Sequence, residues 1–338
     1  MVYGAIDLHM RYSQVRIVDE SGTVLRDQRI VTTGERLVKA FDAFRPVRIV
    51  LEAGSESEWV AQALEAAGHA VIIADPNYAP MYGALRRKVK TDRRDAAALA
   101  EANRRGWYRP AHRRSATQRA TQQLLRTRRQ IGRMRSGAAA LVRSLLKQEG
   151  CRIGTCAAEH LPTRVAALAL PAGVGAAVQP MTRMIATTTK EIAALDEQLR
   201  RRAARDPIVQ GLQTVPGVGV VVALTFRAQL DRIERFAHAG QVSAAIGLVP
   251  HEDSSAERRH RGHTTKAGSS ELRCLLVQAA WSCWRSKRSG GLRAWAAQLA
   301  ARRGRRIAVV GLARRLSRIL YALWRDGAAF DLTKLAAA

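Results

Sequence analysis

Residues 2–10 read VYGAIDLHM, in which Val2–Leu8 reads as an apolar strand interrupted by one carboxylate, Asp7, between Ile6 and Leu8. An Asp in the middle of a strand is disfavoured by propensity and by the loss of water, so it needs a compensating partner such as a cation. Outward from it, Gln14–Val18 and Thr23–Val31 read as strands around a turn at Glu20-Ser21-Gly22, giving a three-stranded meander. A helix is expected near Leu37–Phe44, a strand over Val47–Leu51, a helix over Glu56–Ala67 and a strand over Ala70–Ala74. Strands first and then β-α-β describe an α/β domain with a mixed sheet. Its last helix is expected to start at Thr91-Asp92, where a side chain can cap it, and to run through an Ala-rich stretch to about Arg104.

Three further carboxylates join Asp7. Glu52 follows Val47–Leu51 directly, at the C-terminal end of a strand, where α/β sheets place their ligands. Asp92 and Asp95 stand three apart at a helix start and so project from one face. Two strand-borne carboxylates and two from one helical turn suit a pair of Mg²⁺ ions, because hard cations take oxygen ligands and a two-metal clamp stabilises both oxygens of a phosphoryl transfer. Taken singly, Asp92 and Asp95 are helix-dipole charges and Asp7 a locally hydrogen-bonded side chain. Their order along the chain is the ribonuclease-H-like nuclease arrangement.

The charge balance points to a polyanion. The 338 residues carry 56 Lys+Arg against 28 Asp+Glu, a net charge of +28, too lopsided for the surface of an ordinary metabolic enzyme. Residues 1–80 are net −3, whereas residues 81–338 are net +31. Residues 81–150 alone hold 19 basic and 4 acidic side chains, including the runs Arg86-Arg87-Lys88, Arg113-Arg114 and Arg128-Arg129. Such a surface repels itself unless phosphates neutralise it, and it reads as a nucleic-acid track. No apolar run is long enough to span a bilayer and the opening is not a signal peptide, so a cytoplasmic, nucleoid-associated protein is expected. The four cysteines lack a CxxC pairing, and His251, His260 and His263 lack ligand spacing, so neither group argues for zinc.

From Ser115 to Gln148 there is no Pro, and Leu124, Ile131, Ala138 and Leu145 fall seven apart, with Met134 and Leu141 between them. This is a heptad seam on an Arg-rich helix. After a Gly/Pro-rich connection from Gly150 to Pro180, Met181, Ile185, Ile192, Leu195 and Leu199 repeat the pattern. The two helices can form an antiparallel hairpin or pair between subunits. TVPGVGVVVAL at 214–224 is either a helix-hairpin-helix turn whose N–H groups face phosphates or a tight turn between packed helices. A polar loop from Pro250 to Gly268, a helix from Ser270 through Trp284 and two Arg-studded amphipathic helices over Gly291–Trp324 complete the chain.

AIDLH around Asp7, IVLEAG around Glu52 and KTDRRDAAALA at 90–100 resemble the DEDD motif of RuvC-like domains in the one-ten family of insertion-sequence transposases, which includes the Piv-type DNA invertases. VPGVG at 215–219, IGLVPHEDSS at 246–255 and TKAGSSELRCLLVQAAW at 265–281 resemble that family's C-terminal transposase domain. The resemblance implies a recombinase that joins a Mg²⁺-binding carboxylate site, Asp7, Glu52, Asp92 and Asp95, to a serine nucleophile that becomes covalently attached to DNA. It also implies a structured bridge RNA that selects donor and target DNA by base pairing. The family pattern of Ser or Ser-Ser before Gly falls on Ser254-Ser255-Ala256, which makes Ser255 the expected nucleophile and Ser254 the second choice, with Ala256 a departure from the usual Gly. Without the resemblance, two serines in a polar loop are turn residues. Arg258, Arg259, Lys266 and Arg273 are expected nucleic-acid contacts, while Ser269 and Ser270 read as caps for the next helix.

The expected fold is thus α/β plus α: an RNase-H/RuvC-like mixed-sheet catalytic domain over 1–105, an Arg-rich helical coiled-coil region over 106–205, and a mainly helical transposase domain over 206–338 that carries the serine. Donor and target DNA and a bridge RNA are the expected partners, with a homo-oligomer of two or four copies and no membrane. Two rivals stand beside this reading: a metal-only RuvC-like nuclease or Holliday-junction resolvase in which water attacks, and a basic nucleic-acid-binding protein without catalysis.

Overall fold

The computed structural model describes residues 1–78, 81, 91–255 and 258–331, with 253–255 and 258–261 described as backbone only. The run Arg86-Arg87-Lys88 and Ala256 lie outside the described residues. The chain forms two compact units, Met1–Arg113 and Arg114–Ala338.

In the first unit, β1 (Val2–Asp7), β2 (Tyr12–Val18) and β3 (Val24–Val31) form the expected meander. α1 (Gly34–Phe41), β4 (Val47–Glu52), α2 (Ser57–Ala66), β5 (Ala70–Ala74) and α3 (Asp92–Arg105) follow. The sheet order is β3-β2-β1-β4-β5, antiparallel across the first three strands and parallel from β1 to β4 to β5. The pleat sorts the side chains into two cores. Ile6, Ile49 and Leu51 pack with Leu37, Phe41, Val60 and Leu64 of α1 and α2, whereas Ala5 and Val50 pack with Leu99 and Ala102 of α3. Helices therefore cover both faces of a mixed sheet.

The second unit starts with α4 (Ala116–Gln148), whose N-cap Ser115 accepts from Gln118 N–H at 3.4 Å. α5 (Leu161–Ala166) and α6 (Ala172–Ala204) follow. α4 and α6 run antiparallel within one chain, as the contacts Thr121–Arg202 (3.1 Å), Arg128–Asp196 (3.0 Å) and Arg135–Thr189 (3.4 Å) step along both helices in opposite directions. The α6 stripe is the expected one, with Ile185, Ile192, Leu195 and Leu199 buried. On α4 the expected stripe holds in part: Ala138 is buried, but Leu125, Ala139, Val142 and Leu146 are buried beside it, while Met134 and Leu141 are 42% and 47% exposed. Arg128 and Arg135 occupy that seam through polar contacts to α6, which a count of apolar positions does not register. Pro180 also lies inside α6 rather than in the connection before it. Burial of Val178 with Leu161, Val165 and Ile185 outweighs the loss of one helical hydrogen bond there.

α7 (Pro207–Gln213), α8 (Val220–Leu230) and α9 (Ala239–Ile246) come next. The segment expected to be a polar loop is instead largely an antiparallel hairpin of β6 (Pro250–Ser255) and β7 (Arg258–Thr264). Its polar composition conceals strands because the ribbon has no apolar face to alternate. α10 (Ser270–Arg285), α11 (Gly290–Arg303) and α12 (Arg305–Asp326) close the unit. A single core joins Leu125 of α4 and Leu199 of α6 to Phe226, Leu276, Leu312 and Leu316, so the middle and C-terminal regions fold together. Among the described residues no helix is long and apolar enough to cross a membrane.

Candidate active site

In β1 and β4 the parallel register pairs Ala5 with Val50 and Ile6 with Leu51, so Asp7 and Glu52 end neighbouring strands at matched positions. Each lies two residues beyond a side chain packed toward α3, and strand alternation places both on the α3 face. α3 begins there: Thr91 caps it, accepting from Arg94 N–H at 3.4 Å, and Asp92 and Asp95 occupy its first turn. Asp95 is half-buried and Asp92 exposed. The four expected carboxylates therefore sit on elements that share one face and one end of the sheet, but among the described residues only Asp7 and Asp92 of the four join a close cluster of ligand atoms.

Two residues that sequence reasoning missed complete this arrangement. His9 Nε2 lies 3.2 Å from Asp7 Oδ2 and 3.6 Å from Asp92 Oδ1. The ligand atoms of Asp7, His9 and Asp92 all fall within 4.8 Å of one another. The signal was present in the quoted AIDLH, since residues two apart leaving a strand share a face. Asn103, fully buried, donates from Nδ2 to the carbonyls of Gly4 (2.8 Å) and Arg48 (2.7 Å), and its Oδ1 accepts from Arg48 Nε (2.9 Å). It binds α3 to the two strands that carry Asp7 and Glu52. At the other end of α3, Arg93 Nε donates to Asp27 Oδ2 on β3 at 2.7 Å.

Burial raises the Asp7 pKa above its ordinary value; His9 opposes the shift, and the negative charges of Asp95 and then Asp92 add to it. A half-buried carboxylate facing like charges is short of positive charge, and a divalent cation would supply it. Oxygen donors from Asp7 and Asp92 beside an imidazole suit a divalent ion.

In the second unit the backbone register sets Ser255 opposite Arg258, the last pair before the turn, and Ser254 opposite Arg259. Successive residues occupy opposite faces of a ribbon, so the two serines belong to different faces. The side chains of Ser254, Ser255, Arg258 and Arg259 lie outside the described residues. The base of the hairpin is tightly built. Gly247 has φ +76 and a Cβ there would lie 2.2 Å from the Ala267 carbonyl oxygen; Gly268 has φ +72 and its Cβ would lie 1.9 Å from that of Ala245. Thr265 N–H donates to Val249 O at 2.9 Å. Arg273 Nη1 donates to the carbonyls of Ile246 (2.9 Å), Ala267 (2.7 Å) and Gly268 (3.2 Å), so this expected nucleic-acid contact ties the loop together. Lys266 is exposed, with φ +56. Ser269 caps α10, accepting from Leu272 N–H at 3.2 Å. At the VPGVG turn, Gly217 has φ +87 and a Cβ would lie 2.4 Å from the Ala279 carbonyl oxygen, so this glycine lets the turn pack on α10.

A family model for DEDD transposases matches residues 5–150, and one described as the transposase IS116/IS110/IS902 family matches residues 209–294. The chain is similar to a probable family 20 transposase of Pseudomonas aeruginosa, 30% identical over 330 residues that cover 94% of this chain and 95% of the relative. It is 27% identical to the transposase for insertion sequence element IS1111A of Coxiella burnetii, covering 94% and 88% of the two chains. The Thermus thermophilus RuvC structure is similar to 33% of this chain over 100% of its own, with 17% identity and a TM-score of 0.26.

Proposed function

From membership of the IS116/IS110/IS902 family of transposases, to which this chain belongs, we propose that it cuts and rejoins DNA site-specifically through a covalent phosphoserine intermediate. The chain is a DNA transposase, and its DEDD motif implies a divalent metal. The metal-dependent part of the reading is supported by one observation: Asp7 and Glu52 at matched strand ends, on the face where α3 starts with Asp92 and Asp95. The strand order β3-β2-β1-β4-β5 supports a ribonuclease-H-like, RuvC-like domain beneath it.

Asp7, Glu52, Asp92 and Asp95, with His9, would hold the ion, and Mg²⁺ is the ion proposed. When bound, it offsets charge on the scissile phosphate and lowers the cost of ionising a nearby hydroxyl. Ser255 is the nucleophile: a bond forms from its Oγ to phosphorus as a phosphorus–oxygen bond to deoxyribose breaks. The serine proton leaves, and the released deoxyribose oxygen takes one up. One phosphoester replaces another, so the reverse attack by a DNA hydroxyl reseals a strand without ATP. Arg258, Arg259 and Lys266 provide positive charge along the same hairpin for backbone phosphates. A bridge RNA is the proposed guide, and the excess of basic residues supports polyanion binding of that kind.

The test is a denaturing gel for protein–DNA adducts, using labelled donor and target DNA and RNA transcribed from the element's flanks. A Mg²⁺-dependent adduct in the wild type, lost in Ser255→Ala and Asp7→Ala, is expected, with rates down at least ~10³-fold. Loss in Ser254→Ala alone would move the nucleophile by one residue. Cleavage without adduct, indifferent to both serines, would leave the metal-only nuclease.

A further inference from the structure

One face of α4 presents Gln122, Arg126, Arg129 and Arg133 at helical spacing, and it borders a cavity of about 670 Å³ closed on its far side by Gly268–Glu271 at the start of α10. Arg114, just before α4, lines the same cavity. Four guanidinium groups thus meet a single lining acid, Glu271, which is already 3.5 Å from Arg129. Among the described residues, Arg126 and Arg133 have no acidic partner.

The charge imbalance extends into the wall. The Nε of Arg114 is buried with no hydrogen-bond partner. Its pKa is held below the ordinary value by burial and then by Arg126, and that of Arg235 by burial and then by Arg114. The acid acting against this at Arg114 is Asp231, which accepts from Ser115 N–H at 3.1 Å and Ser115 Oγ at 2.7 Å as it fixes the start of α4. Arg114 is half-buried, whereas Arg126 and Arg133 are exposed, and like charges gathered on one wall are unfavourable unless an anion joins them. On the opposite wall, the first turn of α10 adds the positive end of a helix dipole.

We propose that this cavity seats backbone phosphates of a bound nucleic acid strand, with Arg126 and Arg133 each neutralising one. Backbone phosphates are common to every sequence, so a contact to them carries no sequence information by itself. The proposal rests on the reading of the chain as a nucleic-acid-processing transposase.

The full-length protein is titrated with labelled duplex DNA and with single-stranded RNA across salt concentrations. Arg126→Gln/Arg133→Gln is compared with Arg200→Gln/Arg201→Gln, which removes equal charge where Glu197 already pairs both side chains. The cavity variant should flatten the slope of log affinity against log salt by about 1.4 on single strands to 1.8 on duplex, and the control pair by much less. Loss on one nucleic acid alone identifies which strand the cavity holds, and loss on both indicates a backbone contact common to the two. Protection of Arg126 and Arg133 from an arginine-modifying reagent by bound nucleic acid, read by mass spectrometry in the wild type, provides a result that does not depend on variant folding. Equal slopes for the two variants, with no protection, would overturn the cavity assignment alone; a wild type that binds neither nucleic acid would overturn both it and the proposed function.

Discussion

Asp7 is a carboxylate that folding makes harder to ionise, since burial and then Asp95 and Asp92 push its pKa up against the opposing effect of His9. The sign follows from linkage: a carboxyl with a raised folded pKa holds its proton more tightly when folded, so its ionisation costs stability above that pKa and costs nothing well below the ordinary carboxylate range. Asp7→Asn should therefore raise the melting temperature of the metal-free protein, with the gain over wild type growing as pH climbs through the carboxylate range, while adduct formation is abolished. A melting series from pH 3 to 7 checks it, and a variant less stable than wild type throughout would contradict it. His9 lies between Asp7 and Asp92. His9→Asn should weaken divalent-ion binding by about 10-fold, read from the ion-dependent shift in melting temperature. The carboxylates were legible from a charge against an apolar run or a pair in one helical turn, although Asp7, expected in the middle of a strand, is the last residue of β1. His9 and Asn103 break no local rule, and only their neighbours reveal what they do.

At the scale of elements, α3 is held by Asn103 at one end and by Arg93 near the other, and both anchors reach strands distant in sequence. Asn103→Ala removes a buried side chain that satisfies two strand carbonyls, at a cost of about 2–4 kcal/mol measured by denaturant unfolding. The same variant should lower ion affinity, because Asp92 and Asp95 ride on the released helix. The hairpin depends on its base in the same way. Gly268→Ala would place a Cβ 1.9 Å from the Ala245 carbonyl oxygen in a left-handed backbone. It should abolish adduct formation while leaving divalent-ion binding to the first unit unchanged, which separates a hairpin defect from a metal defect. These elements were unevenly legible. α3 declared itself through its cap and alanines, whereas β6 and β7 were hidden by polar composition and the α4 stripe was legible only in part, with Ala138 buried as expected but Met134 and Leu141 exposed.

For the whole molecule, the charge is unequally shared. Met1–Arg113 holds 18 Lys+Arg and 14 Asp+Glu, against 38 and 14 in Arg114–Ala338, so the helical unit carries most of the excess. Nucleic-acid affinity should fall steeply with salt, by ~10³-fold or more between 50 and 200 mM if six or more phosphates are engaged. A nearly salt-independent affinity would contradict a phosphate-dominated interface.

What the sequence determined by itself was local or periodic: the strand meander, the β-α-β continuation, the carboxylate order, the cap of α3, the stripe of α6 and the placement of the basic residues. Each follows from nearest-neighbour chemistry or from the repeat of a strand or helix, which a linear string records. The tertiary structure alone decided the features that depend on distant partners. It brought His9 between Asp7 and Asp92, placed Asn103 across two strands, paired α4 with α6 inside one chain, folded the middle and C-terminal regions around one core, and left four arginines facing a cavity with one acid. The physical reason is that packing, desolvation and like-charge proximity are properties of neighbours in space, and spacing along the chain does not encode them.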